Sequence, residues 1–520
     1  MELNLFLRIV LLIIPPLILL WFFLHDKFYT RQNESSLLPP GPLRFPIIGN
    51  LHQLNFANLH GHLYQLSHKY GPLMSLRLGS LTAIVVSSAE IAKEALSTHD
   101  RELACRPRFY GQMKISCDGL DTTFAQYGEY WRKIRKINAL HMLSLKRVHS
   151  FRPVRYDEVS RTTNIISQLT SQSKPINLSE ITIYLVNSII CRIAFGKRYD
   201  DDYRGDKTKS KFQDLLHEIQ AVAGSFYMLD YFPYMGWVDK LVGRLKWVDK
   251  VCKDLDLFLQ EIIDDHLVER KNYEHQEDII DVLLQLQKDH SLQVHLTMDH
   301  IKCQLMDIFV AGTDSSSTTL VWAMSELIKN PKSMNKVQQE VRSIKHENIF
   351  DNHSQECCHI LEDDLDKLIY LKAVVKETLR LHPPAPLAVP HLATQTCKIK
   401  GYEIPKGAIV YVNLWAIGRD PEYWENPEEF WPERFLESAK NIDFRGQDFG
   451  FIPFGAGRRG CPGLNLGVII VELALANLLY EFKWELPHGM KKEDIDSEVR
   501  PGITMHKKND LILMAKTYQC

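Results

Sequence analysis

The run Phe451-Ile452-Pro453-Phe454-Gly455-Ala456-Gly457-Arg458-Arg459-Gly460-Cys461-Pro462-Gly463 concentrates more chemistry than any other stretch of the chain. Glycines 455, 457 and 460 ahead of Cys461 let backbone approach a bulky planar group. Cys461 then stands at the entrance to an apolar stretch, Leu464 to Phe482, that reads as a helix. Free N–H groups and partial positive charge at a helix N-terminus favour thiolate over thiol, and a thiolate held this way suits a soft metal ligand. The bland alternative is a buried, inert cysteine at a turn. It leaves Gly455, Gly457, Arg459 and Gly463 at their offsets unexplained.

Other patterns need helices to position them. Trp131 and Arg135, four apart, share one helical face, as they also would on a plain amphipathic helix. Thr297 to Asn330 predicts a long helix, with Thr297 as N-cap and a stop at Asn330-Pro331; at about 1.5 Å per residue it crosses the whole body. Inside it lies Ala311-Gly312-Thr313-Asp314-Ser315-Ser316. Gly312 costs about 1 kcal/mol relative to Ala, which implies a bend or a close approach there. Asp314 with the Ser315 hydroxyl has the chemistry of a proton relay, the alternative being a core helix with small residues facing a neighbour. Glu377 and Arg380 put opposite charges on one face of a helix that stops before His382-Pro383-Pro384.

Together these motifs resemble the cytochrome P-450 superfamily. Phe454, Gly457, Arg459, Cys461 and Gly463 match its haem-binding loop, F-x-x-G-x-R-x-C-x-G, at every specified position. The resemblance implies that Cys461 is the proximal thiolate of haem iron and that Arg459 pairs a haem propionate. Trp131 and Arg135 match W-x-x-x-R and would contact propionates too, as would His391, where relatives often carry Arg. Ala311 to Ser316 is similar to the oxygen-binding stretch, with Ser315 where the family normally has Thr; Asp314 and Ser315 would route protons for O–O cleavage. Glu377, Arg380 and, in Pro432-Glu433-Arg434-Phe435, Arg434 would form a buried structural network. The implied cofactor is haem b, iron protoporphyrin IX, and axial thiolate favours O–O cleavage. Phe45 to Gly49 and the Trp431 to Phe435 form are similar to the plant microsomal branch, whose members often act on specialised metabolites.

Sixty-two Lys and Arg against sixty-four Asp and Glu give a formal charge of -2, which gives no support to a nucleic-acid binder. The ten cysteines contain no C-x-x-C pair, so a zinc site is unsupported and reduced thiols on the cytosolic side are expected. From Leu3 to Leu24 only Arg8 is charged, enough to cross a hydrocarbon layer of about 30 Å. The sequence following it offers no small residues for signal cleavage, so an uncleaved anchor is expected. Lys27 and Arg31 against Arg8 place the body in the cytosol, where the sequons at Asn33, Asn177 and Asn352 stay unmodified.

The expected organisation is a membrane anchor over 1–26, a linker with a proline-rich hinge over 27–52 and a haem-thiolate catalytic domain over 53–520. That body is mainly α with a small β subdomain, a P-450 fold by resemblance. Leu73 to Val86, Lys398 to Val412 and a hairpin in Ile503 to Ala515 around Asn509-Asp510 would pool into one small sheet. Asn272 to Asp278 and Lys345 to His359 read as surface loops. Phe109, Met113, Phe226, Met228, Phe309, Val310, Leu387 and Ala388 are candidates for an apolar pocket above haem.

The implied activity is insertion of one oxygen atom from O2 into an apolar small molecule such as a plant terpenoid, alkaloid or phenolic. No G-x-G-x-x-G fingerprint follows a predicted strand, so electrons must come from a partner. By resemblance that partner is an NADPH-cytochrome P-450 reductase on the same endoplasmic reticulum membrane, docking against Arg132, Lys133, Lys136 and Arg458. Membrane lipid and an apolar substrate complete the expected partners. An oxygen-independent haem-thiolate isomerase or dehydratase is one rival, which Gly312, Asp314 and Ser315 argue against. A non-catalytic haem or sterol binder is another.

Overall fold

The computed structural model describes residues 37–198, 211–269, 277–289, 295–344 and 360–518. The segment read as an anchor, the first part of the linker, the loop at Lys345 to His359 and all but the end of Asn272 to Asp278 lie outside the described residues. The strands are β1 Leu73–Leu78, β2 Leu81–Val86, β3 Ile176–Asn177, β4 His391–Leu392, β5 Cys397–Ile399, β6 Tyr402–Ile404, β7 Ile409–Val412, β8 Phe482–Glu485 and β9 Ile512–Thr517. Everything else regular is helical.

The long helix spans Met298–Lys329 with Thr297 as N-cap, whose hydroxyl accepts from the His300 N–H while the Thr297 N–H donates to the His300 ring at 3.1 Å. It packs most extensively on the helix Leu178–Phe195 and next on Leu464–Glu481. Leu178–Phe195 and Leu464–Glu481 are apolar on nearly every face because they run through the core; their most apolar windows are 78% and 67% buried in the body. A Cβ on Gly312 would sit 2.8 Å from Ile190 Cδ1, so this glycine serves close packing of the long helix on its neighbour.

The strands do not pool into one sheet. β1 and β2 form an antiparallel hairpin around Gly79, β2 continues parallel to β7, and β4 closes that sheet. β5 and β6 pair only with each other. The expected hairpin around Asn509-Asp510 is absent: β9 pairs antiparallel with β8 and with β3. β8 presents Phe482 and Trp484 to the core on one face, an apolar partner that the turn-proximal residues 503–508 lack. The proline-rich segment lies along β1, where Ser75 donates its backbone N–H to Pro40 and its hydroxyl to Pro39.

The Glu377–Arg380–Arg434 network is present and buried. Glu377 accepts from Arg380 at 2.7 and 2.8 Å, from Arg434 at 3.1 Å and from the Trp431 N–H at 2.8 Å. Arg380 also donates to the carbonyls of Gly418, Pro427 and Glu429, so no charge is left without a partner. Arg380→Ala removes both Arg380 bonds to the buried Glu377 carboxylate, leaving it only Arg434 and the Trp431 N–H, and frees the carbonyls of Gly418, Pro427 and Glu429. It is expected to lower stability by about 3–5 kcal/mol in denaturant unfolding; a loss under about 1 kcal/mol would remove the network from the fold's supports.

Candidate active site

Gly455 and Gly457 have φ of 70° and 66°, the left-handed region where glycine is unstrained. A Cβ on Gly457 would lie 2.5 Å from the Leu96 carbonyl oxygen. Turn geometry and packing on the Leu96 segment therefore account for this glycine, where approach of a planar ligand was expected. The Cys461 N–H donates to Phe454 at 2.8 Å and the Gly455 N–H to Ile452 at 2.8 Å, folding the loop back before the helix begins at Leu464. Burial pushes the Cys461 thiol up from its ordinary value, while the Gly463 N–H, the Arg135 guanidinium and the Leu464 N–H pull it down without offsetting that burial.

Cys461 opens onto an interior cavity of about 760 Å³, and so do Trp131, Arg135, Asp314, Ser315, His391 and Arg459. All seven sequence-predicted site residues thus meet at one place. The Trp131 indole N–H donates to Thr122 at 3.0 Å, and the Arg459 guanidinium lies over its ring at 4.4 Å. Arg459 donates to the carbonyls of Ala104, Thr122 and Ala125, and Arg135 to Gly460 at 2.6 Å. His391 is fixed through Nδ1 to the Leu103 carbonyl at 2.8 Å. Burial, with Arg106 and Arg459 nearby, pushes its imidazole down to about 3.

Arg106 was not singled out from the sequence. It lines the same cavity, 5% exposed, and donates to the carbonyls of Thr123, Val389 and Pro390. Among the described residues, none of Arg106, Arg135 and Arg459 forms an ion pair with a carboxylate. Burial pulls Arg106 well below, Arg135 below and Arg459 down to about 10 from the usual guanidinium range. The cavity wall therefore carries positive charge that no carboxylate among the described residues pairs, and its floor carries a thiol whose ionisation burial disfavours unless a cation faces it. A metalloporphyrin with carboxylates on its edge answers both demands, and the cavity volume lies within the range of small-molecule sites, about 300–1,000 Å³. The residues fit the group.

Asp314 and Ser315 point differently. The Ser315 hydroxyl donates to the Ala311 carbonyl at 2.7 Å, within its own helix. Asp314 turns to the C-terminal segment, where Oδ1 lies 2.6 Å from His506 Nε2. Burial alone would raise this carboxyl, but His506, Thr504 and Gln220 together hold it below the ordinary carboxylate range.

Comparison with known proteins decides the family. The family described as "Cytochrome P450" matches residues 39–514. The chain belongs to the cytochrome P-450 superfamily. Similar proteins include "Cytochrome P450 71A9" of Glycine max, 48% identical over 94% of each chain. "Strychnine-11-hydroxylase" of Strychnos nux-vomica is 44% identical over 96% of this chain and 95% of its own. Among solved structures, a zebra fish cytochrome P-450 with progesterone aligns with a TM-score of 0.72 at 26% identity, covering 88% of this chain and 99% of that one. The protein is a haem-thiolate monooxygenase, and its cofactor is haem b.

This P-450 departs from the expected pocket. Of the eight apolar candidates only Val310 and Ala388 line the cavity. Phe109 and Phe226 stack on Tyr231, and Phe309 packs against Phe195 with ring centroids 6.2 Å apart. Met113 is buried in the core, Leu387 packs on the β1–β2 cluster, and Met228 opens a short helix. Phe124, Ile190 and Val389 supply apolar wall instead, brought there by tertiary packing that no local spacing announces. On the basic face, Arg132 and Lys136 are exposed, Lys133 pairs with Glu129 at 2.6 Å and Arg458 with Asp100 at 2.5 Å.

The depressed His391 value has a pH signature. The unfolded chain takes up a proton on this ring below about pH 6.5 and the folded chain does not until about pH 3. Its stabilising contribution is thus present above pH 6.5 and is lost progressively as pH falls. His391→Asn is expected to remove about one proton from the pH slope of unfolding between pH 4 and 6. Denaturant titrations across that window check it, and an unchanged slope would mean that the ring titrates normally.

Proposed function

We propose that this P-450 is a membrane-anchored oxygenase of plant specialised metabolism, oxidising an apolar, ring-containing small molecule with electrons from an NADPH-cytochrome P-450 reductase. The single observation that carries the reading is the Cys461 sulfur at the floor of an apolar cavity whose wall holds three guanidinium groups that, among the described residues, form no ion pair with a carboxylate. Haem iron on a thiolate supplies the oxygen activation and O–O cleavage. The chain's own residues do the rest. Cys461 would ligate the iron, and Arg106, Arg135 and Arg459 would hold the propionates, with the Arg459 guanidinium over the Trp131 ring. His391, neutral and tied to Leu103, fills the wall beside them as a hydrogen-bonding ring.

Phe124, Ile190, Val310, Ala388 and Val389 line the cavity, where they exclude water and orient an apolar substrate. Asp314 relays a proton through its carboxylate and the Ser315 hydroxyl passes it into the cavity. A similar plant protein is named strychnine-11-hydroxylase, which supports a plant small molecule as substrate and hydroxylation as the type of reaction. The apolar run at Ile9 to Leu24 supports an endoplasmic reticulum anchor with the body facing the cytosol and the exposed Arg132 and Lys136 available to an acidic reductase surface.

Cys461→Ala is expected to abolish the thiolate-type carbon monoxide difference spectrum of the reduced protein; an unchanged spectrum would refute the ligand assignment. Ser315→Ala is expected to raise hydrogen peroxide released per product severalfold, by about 10-fold if the hydroxyl is the sole route. Peroxide and product measured together in a reductase-coupled assay check it, and an unaltered ratio removes Ser315 from the relay.

A further inference from the structure

We propose that His506, on the segment leading to β9, is the proton-carrying partner of Asp314, so that the acid on the long helix is refilled from the C-terminal end of the chain. The two residues are 192 positions apart, yet His506 Nε2 lies 2.6 Å from Asp314 Oδ1. The other ring nitrogen, Nδ1, lies 2.9 Å from the Thr318 hydroxyl, one helical turn further along the same helix. Both ring nitrogens are engaged, so the ring plane is fixed whichever tautomer it carries.

Exposure sets the direction of flow. The Asp314 side chain is 9% exposed and the His506 side chain 26%. Asp314 by itself can pass on one proton at a time and is walled off from bulk solvent, whereas O–O cleavage with insertion of one oxygen consumes two protons. His506 borders the cavity where its wall continues through Gly502 and Thr504 toward Arg500 and Asp510 at the surface. The charged and titratable groups around the pair are few. From the helix Lys211–Gly224 comes His217, pulled down by burial and by His506, with Asp214 behind it. From the C-terminal segment comes Arg500, whereas Lys507 turns away to lie over the Trp322 ring.

The step is a proton transfer without electron movement. The Nε2–H bond of the imidazolium breaks and an O–H bond forms on Asp314 Oδ1. Because His506, Thr504 and Gln220 favour the carboxylate, that O–H is short-lived: its proton passes on toward Ser315 and the carboxylate is restored. The ring is left neutral with its Nδ1–H donated to Thr318, and hydronium at the exposed edge returns a proton to Nε2 when the contact with Asp314 opens. The proposal rests on the oxygenase reading for its purpose, but the pairing itself is testable without turnover.

The first measurement is the 15N spectrum of the intact protein labelled with 15N-histidine, with the His506 signals identified by their loss in His506→Gln. Asp314→Asn is expected to shift the His506 Nε2 resonance, since it replaces the carboxylate oxygen 2.6 Å from that nitrogen. An unmoved resonance overturns the pairing. The second is product formed per NADPH in the reductase-coupled assay. His506→Gln keeps an N–H donor toward Asp314 but cannot carry a proton. It is expected to release about 10-fold more peroxide per product. A His506→Gln protein that couples as the parent does would leave His506 with a purely positional role and sink the proposal. Should that variant not fold, Thr318→Val removes the hydroxyl at Nδ1 with little change of shape; it must shift the His506 Nδ1 resonance and raise peroxide release, and no change in either also overturns the idea. Loss of the carbon monoxide spectrum in the parent protein would instead tell against the oxygenase reading, leaving the NMR result to stand alone.

Discussion

Charge compensation at the floor of an apolar cavity is the constraint on which the rest of this structure depends. A sulfur anion in a low-dielectric site costs several kcal/mol unless positive charge faces it, and the chain supplies Cys461 with only two N–H groups and Arg135. On the wall, Arg106, Arg135 and Arg459 have the opposite deficit: carbonyl oxygens satisfy their hydrogen bonds but not their charge. Each half is unbalanced in the same sense that a bound metalloporphyrin repairs, cation toward sulfur and carboxylates toward guanidinium. Cofactor binding and stability of the cavity are therefore linked, as for any site whose ligands are charged only when the group is bound. Because Arg459 reaches Ala104, Thr122 and Ala125, the same linkage extends to the segment that roofs the cavity.

The sulfur must also be held in place, and a second set of buried charges does that from a distance. Arg380 and Arg434, both paired with Glu377, grip backbone carbonyls from Gly418 to Glu429 in a stretch with little regular structure of its own. Their guanidinium groups lie over the Trp424 ring at 5.4 and 5.8 Å, and Trp424 meets Phe451 edge-on at 6.4 Å. Phe451 opens the loop that ends in Cys461. A network with no chemistry of its own thereby sets where the reactive sulfur sits, and its side-chain burial is what converts weak helix-surface pairing into a rigid clamp.

Local rules made the long helix legible to its caps, Thr297 and Asn330, and the Cys461 loop legible from residue types alone. They failed where a partner far along the chain decides the outcome. The Asn509-Asp510 turn signal lost to β8, whose alternating Phe482 and Trp484 offer β9 a buried face. The pairing of β2 with β7 does join two of the regions expected to share a sheet, through a parallel crossover that no turn residue marks. Gly312, read as a bend or a close approach to haem, closes on Ile190 in the packed structure. Arg106 and His506 sit in irregular segments with no period to expose them; their roles exist only once Val389 and Asp314 are folded against them.

The long helix reconciles these demands by dividing them among consecutive side chains. Successive residues on an α-helix are rotated by about 100°, so Gly312, Asp314 and Ser315 cannot address one target. Gly312 lets the helix close on Ile190, Asp314 turns to His506, and Ser315 lies on the cavity with its hydroxyl returned to Ala311. The two groups of the proposed relay are thus on different faces of one turn. In that relay a proton leaving Asp314 would cross between those faces by rotation of a side chain or through an intervening water, while the Ser315 hydroxyl gives up its bond to the Ala311 carbonyl. The smaller rotational barrier of Ser relative to a β-branched Thr makes that release easier and the hydroxyl's aim less exact, a trade that places control of the path on the better-held carboxylate instead.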